Sequence, residues 1–298
     1  MNILITGPAR GIGEALARTL AARGHRLALV GMEPQRLEAL ARELGPQHVW
    51  FECDVTNQQA VDAAVEGSVR ALGGLDVVVA NAGIASIGTV AVTPMDALAR
   101  LIDVNLTGAI RTVHATLPHV TARRGYYLLI CSAAAIAAAP GMATYSATKS
   151  GIEQFGNALR LELLHKGVAV GVAYPSWIDT DLVRDARGDL ASFEHTLQKL
   201  PGPFGVVTPV DACAAALAEG IGRRARKVYI PRGLGLFAAL RHLFTTSLAG
   251  RMMVKHVHIP TREAEVLKLG RVFGEHSVER GRHDPPEAPA TSSSRSPS

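Results

Sequence analysis

Asn2-Ile3-Leu4-Ile5-Thr6-Gly7-Pro8-Ala9-Arg10-Gly11-Ile12-Gly13-Glu14-Ala15-Leu16-Ala17 opens the chain one residue after Met1, and its reading decides the rest. Asn2 to Thr6 is a short run of mainly branched aliphatic residues, which signals a buried strand; from Gly11 onward the pattern is helical. Between them stand Gly7, Gly11 and Gly13, with Arg10 and Ile12 among them. Glycines here allow a tight turn and let a pyrophosphate approach the backbone, where a helix N-terminus offers unpaired N–H groups and a favourable dipole. A tight turn alone needs such glycines too. Their position between a first strand and a first helix favours a dinucleotide site.

Outward from this unit the pattern repeats. Strand-like runs occur at Arg26 to Gly31, His48 to Cys53, Leu75 to Ala80, Tyr126 to Cys131, Val168 to Tyr174 and Lys227 to Ile230. Helical stretches fill Gly11 to Arg23, Pro34 to Leu44, Asn57 to Leu72, Pro94 to His119, Ala143 to His165 and Pro209 to Gly220. The strands read as continuous Val/Ile/Leu runs, as strands buried on both faces do. The expected fold is therefore α/β: a Rossmann-type doubly wound parallel sheet of about seven strands with helices on both faces.

The length of 298 residues, with 48% hydrophobic and 19% charged residues, suits one globular domain with an addition and excludes a wholly disordered chain. We expect a catalytic and cofactor-binding domain over 1–232, an apolar-basic extension over 233–280, and a disordered tail over 281–298, where Pro, Ser, Arg and Ala dominate. Cys53, Cys131 and Cys213 are too few and too scattered for a disulfide framework or a zinc cluster. No signal segment precedes the first strand, and Arg241 and His242 interrupt the apolar stretch from Gly233 to Gly250, so a cytoplasmic location is expected. The net charge of +5 lacks the interleaved aromatics of a nucleic-acid platform. Arg223, Arg224, Arg226 and Lys227 read as a solvated basic surface, and no nucleic acid is expected as a partner.

The choice of cofactor depends on what meets the adenosine ribose after the second strand. An acid there binds the free hydroxyls of NAD and repels the 2′-phosphate of NADP. This strand ends Val30-Gly31-Met32, with no acid before Glu33, and Arg10 in the glycine loop offers a guanidinium to that phosphate. NADP is favoured; Arg10 as a solvated loop base and Glu33 as a displaced ribose ligand, hence NAD, form the alternative. Asp54-Val55 and Asn81-Ala82-Gly83 follow the third and fourth strands at carboxyl ends, where open α/β sheets bind ligands. Asp54 can equally cap the helix near Asn57, and Asn81 can simply turn the chain.

Tyr145 and Lys149 stand four apart in the Ala143 helix, so they share a face, and Ser132 ends the preceding strand. A free phenol, with a pKa of about 10, is a poor base at neutral pH, and a neighbouring ammonium favours phenolate. A shift of about three units needs roughly 4 kcal/mol, within reach of a partly desolvated lysine aided by an oxidised nicotinamide.

With these pieces in order, the chain resembles the short-chain dehydrogenase/reductase family, single-domain type. The matching motifs are Thr6 to Gly13, Asp54-Val55, Asn81-Ala82-Gly83, Asn105 in Val104-Asn105-Leu106, Ser132, Tyr145-xxx-Lys149 and Pro175 through Thr180, spread over about residues 1 to 230. The resemblance implies a nicotinamide-dependent oxidoreductase in which Tyr145 passes a proton to a carbonyl oxygen or takes one from an alcohol. It also implies that Lys149 holds the nicotinamide ribose and lowers the Tyr145 pKa. Ser132 stabilises the substrate oxygen, Asn105 holds a relay water, and Ile178 and Thr180, beyond Pro175, contact the carboxamide. Ala80, where a second Asn is common, and Ser176, where Gly is usual, depart from the family pattern without removing a reacting group. The rival classes are a non-catalytic NADP-sensing or scaffold protein and an NADP-dependent epimerase.

The resemblance places a substrate loop over Trp177 to Leu200, where Trp177, Leu182, Val183, Leu190, Phe193 and Leu197 mix with charges. An apolar carbonyl or alcohol is the expected substrate: a steroid, retinoid, long-chain aldehyde or β-ketoacyl thioester. Trp177 reads equally as pocket wall and as core. The extension reads either as a flap or subunit contact or as a peripheral membrane surface. The resemblance further implies a homodimer or homotetramer built on the Tyr145 helix.

Overall fold

The computed structural model describes residues 1–137, 141–181, 183–184, 197–198, 200, 202–241 and 271–273. Seven strands form one parallel sheet: β1 (Asn2–Thr6), β2 (Arg26–Gly31), β3 (Val49–Glu52), β4 (Val77–Ala80), β6 (Tyr126–Ile130), β7 (Ala169–Pro175) and β10 (Lys227–Ile230). Their order across the sheet is β10-β7-β6-β4-β1-β2-β3. The chain builds outward from β1 to β3, then returns to β4 on the other side of β1. Such a reversal opens a crevice at the carboxyl ends of the two central strands, and ligands of doubly wound sheets bind there.

The strands are buried on both faces, which explains their continuous apolar composition. Ile3 and Ile5 of β1 pack on one side with Leu16 and Leu20 of α1 (Gly11–Ala22), Leu37 of α2 (Pro34–Leu44) and Leu217 of α7 (Val210–Gly222). Leu4 faces the opposite core, with Val61 and Val65 of α3 (Gln58–Leu72), Val113 of α5 (Gly108–Ala122) and Ile152 of α6 (Ala143–Leu163). The third helix is capped by Asn57, whose side chain accepts from the Ala60 N–H at 3.1 Å. Asp54 is therefore not the cap of this helix.

The expected single helix from Pro94 to His119 is broken. It forms α4 (Met95–Ile102), a π-turn over Asp103–Thr107, and α5, which runs through Pro118 to Ala122. The cause is local. The π-turn carries Asn105 to 1% exposure, where it bonds the main chain of Ile84, and π-turns recur at functional sites.

Smaller elements without a sequence signal complete the described fold. The three-residue β5 (Ala85–Ile87) pairs antiparallel with β11 (Arg271–Phe273), and β8 (Trp177–Ile178) pairs parallel with β9 (Val207–Thr208). After β10, α8 (Leu234–Ala239) buries Leu234 completely and sets Phe237 edge-to-face against Phe204, with centroids 5.2 Å apart. Residues 233–241 thus pack on the core. Leu182, Leu190 and Phe193 of the expected substrate loop, most of the extension beyond Arg241, and the 281–298 tail lie outside the described residues, whereas Val183 and Leu197 are buried. Among the described residues no helix is long and apolar enough to cross a membrane.

One member of the basic cluster does more than meet solvent. Arg224, itself in the left-handed region at φ 50°, donates through Nη2 to the carbonyls of Arg124 at 2.7 Å, Gly125 at 2.6 Å and Gly167 at 3.1 Å. It ties the amino ends of β6 and β7 to the turn before β10. Arg224→Ala is expected to lower unfolding free energy by about 1–2 kcal/mol, read from urea midpoints, while Arg223→Ala at the neighbouring exposed position stays within about 0.5 kcal/mol. Equal effects of the two would refute the clip.

Candidate active site

The crevice between β1 and β4 is closed at its floor by side chains from both strands. Thr6 Oγ1 accepts from the N–H groups of Asn81 at 3.0 Å and Ala82 at 3.1 Å, and Asn81 Nδ2 donates to the carbonyls of Thr6 and Gly7, both at 3.0 Å. Asn81 thus does more than turn the chain: it fixes the start of the glycine loop. Gly13 sits where a Cβ would lie 2.4 Å from the Gly7 carbonyl oxygen and 2.6 Å from Asn81 Nδ2, so only glycine lets α1 approach the loop this closely. Gly11, at φ 58°, faces Thr180, with an added Cβ only 3.4 Å from its methyl. The loop and Thr180 form the two walls of a cradle at the N-terminus of α1, and this shape and dipole suit a dinucleotide pyrophosphate. Ile12, half-buried, packs against the core beneath it.

At the end of β2, Arg10 and Glu33 form an ion pair, with Arg10 Nε 3.1 Å from Glu33 Oε2 and Nη2 on Oε1; Arg36 Nε lies 3.7 Å from the same carboxylate. The guanidinium read as a partner for a 2′-phosphate and the acid read as a displaced ribose ligand are thus in contact with each other. Beyond β3, Asp54 accepts from Thr56 N at 2.9 Å and Thr56 Oγ1 at 2.8 Å, and Arg100 Nη2 stands 3.3 Å from its second oxygen. Burial alone raises the Asp54 carboxyl, but these bonds outweigh it and hold the pKa below the ordinary value.

The reacting groups meet on the neighbouring side. Tyr145, half-buried on the first turn of α6, lies close to Ser132, whose Oγ accepts from Ala134 N at 3.1 Å. Lys149, one turn on and 5% exposed, points the same way: its Nζ is 5.6 Å from the Tyr145 ring centroid and donates to the Ile130 carbonyl at 3.1 Å. A Cβ built on Gly83 would come 3.5 Å from that Nζ, so the turn after β4 abuts the amine. Asn105 Oδ1 accepts from Ile84 N at 2.8 Å, and its Nδ2 donates to Ile84 O at 2.9 Å and Thr148 Oγ1 at 3.2 Å. Its side chain holds the turn beside Lys149. Val55, Ile84, Leu98, Leu101 and Val104 pack together, with Tyr145 and Ala82 against them. On the far side, Pro175 ends β7, Ile178 is buried, and Thr180 Oγ1 donates to the Ile178 carbonyl at 3.3 Å. Trp177, half-buried, is held in β8.

Burial pushes the Tyr145 phenol up, to about 12, against a downward pull from Ser132, and burial likewise pushes the Lys149 amine down. Cys131 is a buried thiol raised to about 12, chiefly by burial, which makes it a poor nucleophile. Among the described residues no cluster of His, Cys, Asp or Glu is arranged to hold a metal. Sequence reasoning overlooked Thr148, Arg36 and Arg100; no motif marks them, and their roles appear only through side-chain contacts.

Residues 1–191 match the model of the short chain dehydrogenase family. Among curated relatives, 11-beta-hydroxysteroid dehydrogenase 1A of Arabidopsis thaliana is 32% identical over 238 residues, covering 77% of this chain and 68% of that protein. Human 3-oxoacyl-[acyl-carrier-protein] reductase is 30% identical over 217 residues, covering 72% and 90%. The crystal structure of an alcohol dehydrogenase from the archaeon Thermococcus sibiricus, complexed with 5-hydroxy-NADP, superposes with a TM-score of 0.64 at 26% identity, over 76% of this chain and 94% of that one. The chain belongs to the short-chain dehydrogenase/reductase family. It is an oxidoreductase of the class acting on CH–OH groups, built on a nucleotide-binding Rossmann fold.

Asn81→Ala removes two carbonyl contacts to the glycine loop without touching the reacting groups. We expect nicotinamide dinucleotide affinity, measured by fluorescence quenching, to fall about tenfold. Unchanged affinity would show that the loop holds its shape without Asn81.

Proposed function

We propose that the chain is an NADP(H)-dependent oxidoreductase that interconverts a hydrophobic ketone or aldehyde and its alcohol by hydride transfer, with Tyr145 as general acid and base. The observation that carries this reading is the gathering of Tyr145, close to Ser132, with buried Lys149 one helical turn away and the glycine cradle alongside. Gly7, Gly11, Ile12 and Gly13 would hold the pyrophosphate, Asp54, Val55, Asn81, Ala82 and Gly83 would line the adenosine and ribose side, and Pro175, Ile178 and Thr180 would border the nicotinamide. The bound nicotinamide supplies or accepts the hydride.

During reduction, the Tyr145 hydroxyl donates its proton to the carbonyl oxygen as negative charge develops there, and the Ser132 hydroxyl donates a hydrogen bond to the same oxygen. In the alcohol direction the phenolate takes that proton back. Lys149, released from the Ile130 carbonyl, holds the ribose and favours the phenolate, and Asn105 steadies the turn through which a relay water would reach Lys149. Oxidation needs the ionised phenol and so gains with rising pH, whereas reduction needs the neutral phenol and loses activity as pH climbs through the same pKa.

Arg10 and Arg36 converge on one spot at the end of β2, and this supports a phosphate-bearing cofactor, with Arg10 exchanging Glu33 for the 2′-phosphate. The 5-hydroxy-NADP in the Thermococcus sibiricus dehydrogenase is in line with it. The Glu33 carboxylate in the same place favours NAD as the second reading. An apolar substrate fits the packing around Tyr145 and the buried Val183 and Leu197, and the names of the relatives include a steroid dehydrogenase and an oxoacyl reductase. Leu161 and Leu164, 62% and 65% exposed at the end of α6, support self-association through that helix as a homodimer or homotetramer.

Tyr145→Phe is expected to retain NADPH binding and lose about 100-fold or more of ketone reduction, measured over a panel of apolar ketones. Retained turnover would overturn the assignment, and cofactor binding by wild type without turnover of any ketone would favour a sensor. Arg10→Ala should weaken NADPH by about tenfold or more with little change in NADH, and Glu33→Gln should tighten NADPH. The opposite pattern would assign the site to NAD.

A further inference from the structure

Tyr145, Lys149 and Glu153 follow one another at four-residue intervals on α6, so a carboxylate stands one turn beyond the lysine on the same helix face. Glu153 is 4% exposed, and a buried carboxylate persists only when it is paired and hydrogen-bonded. Its partners come from three elements. Tyr174 of β7 donates its hydroxyl at 3.0 Å, Lys227 of β10 brings Nζ to 4.0 Å, and Arg241, just past α8, places Nη1 at 2.9 and 2.8 Å from the two carboxylate oxygens. Arg241 lies beyond the last core strand and outside the 1–191 match to the family, so this pair ties the C-terminal extension to the catalytic helix. Cys131 bridges the two turns: its thiol donates to the Lys149 carbonyl at 3.1 Å and feels both Lys149 and Glu153.

We propose that Arg241 is a positioning residue for the Tyr145–Lys149 couple, covering the charge of Glu153 so that this helix face does not present an open anion beside the acid–base pair. An uncovered carboxylate there would favour the lysine ammonium and disfavour phenolate; paired at 2.8 Å, its field falls off as that of a dipole. The other groups around the couple leave this balance in place. Beta strand β6 leads into Cys131 and Ser132, α4 turns Leu98 and Leu101 to Tyr145 while its Arg100 pairs with Asp54, and the π-turn presents neutral Asn105 while its Asp103 pairs with Arg111 at 2.7 Å. From β7 and β10 come Tyr174, Lys227 and Tyr229, all on the Glu153 side.

The inference rests on Tyr145 and Lys149 being the acid–base couple of the proposed function, so its test reads ionisation rather than turnover. Magnetic resonance of protein labelled at the tyrosine ζ-carbon follows the Tyr145 phenol with pH, Tyr145→Phe identifying its signal. Arg241→Met is expected to move the midpoint upward, so that less phenolate is present at any fixed pH than in wild type. Arg241→Lys should leave it near wild type, Glu153→Gln should move it down, and the double variant should return it toward wild type. Because removing one partner of a buried pair destabilises a fold, urea unfolding accompanies each titration, and Arg241→Gln, which keeps a hydrogen-bond donor to Glu153, serves in place of Arg241→Met where the latter does not fold. An unmoved midpoint in Arg241→Met, or the same shift in Arg241→Met and Arg241→Lys, would reduce the pair to a structural brace. Failure of the functional reading would show separately, as full ketone turnover by Tyr145→Phe whatever these midpoints do.

Discussion

An amine buried at Lys149 is the constraint around which the site is arranged. Taken from water into a protein interior, an ammonium loses hydration that only well-placed acceptors replace, and here the acceptor is the carbonyl of Ile130 at the end of β6. That bond places the amine at the end of β6, beside Ser132 and Tyr145. Burial beside it keeps the Tyr145 phenol high. In the proposed function this bond gives way to one with the cofactor ribose.

At the other end of the cleft the half-buried guanidinium of Arg10 rests on Glu33, as the buried amine of Lys149 rests on the Ile130 carbonyl. Each charge has a local partner, as a charge taken out of water requires.

Much of this was legible in the residues. All seven sheet strands fell within two residues of their expected ends, because a strand buried on both faces writes itself as an unbroken apolar run such as Leu27 to Val30. The motif residues gathered because parallel sheets bring every strand's carboxyl end to one edge. The π-turn at Asn105 stayed hidden, since one inserted residue barely disturbs a helical pattern. The pairs β5 with β11 and β8 with β9 are too short to carry periodicity. The partners of Glu153 were equally unreadable: Arg241 is 88 residues away and no spacing rule links them, although an acid on the inward face of a helix does demand a cation from somewhere. Burial, the first cause that raises the Tyr145 phenol, likewise cannot be seen in a sequence.

The most direct measurement is a crystal structure of the protein with NADP and an apolar alcohol. The account expects Lys149 Nζ to have left Ile130 for the ribose hydroxyls, and the Tyr145 and Ser132 oxygens both to lie about 3 Å from the substrate oxygen. A nicotinamide seated away from Tyr145, with Lys149 still on the Ile130 carbonyl, would contradict it.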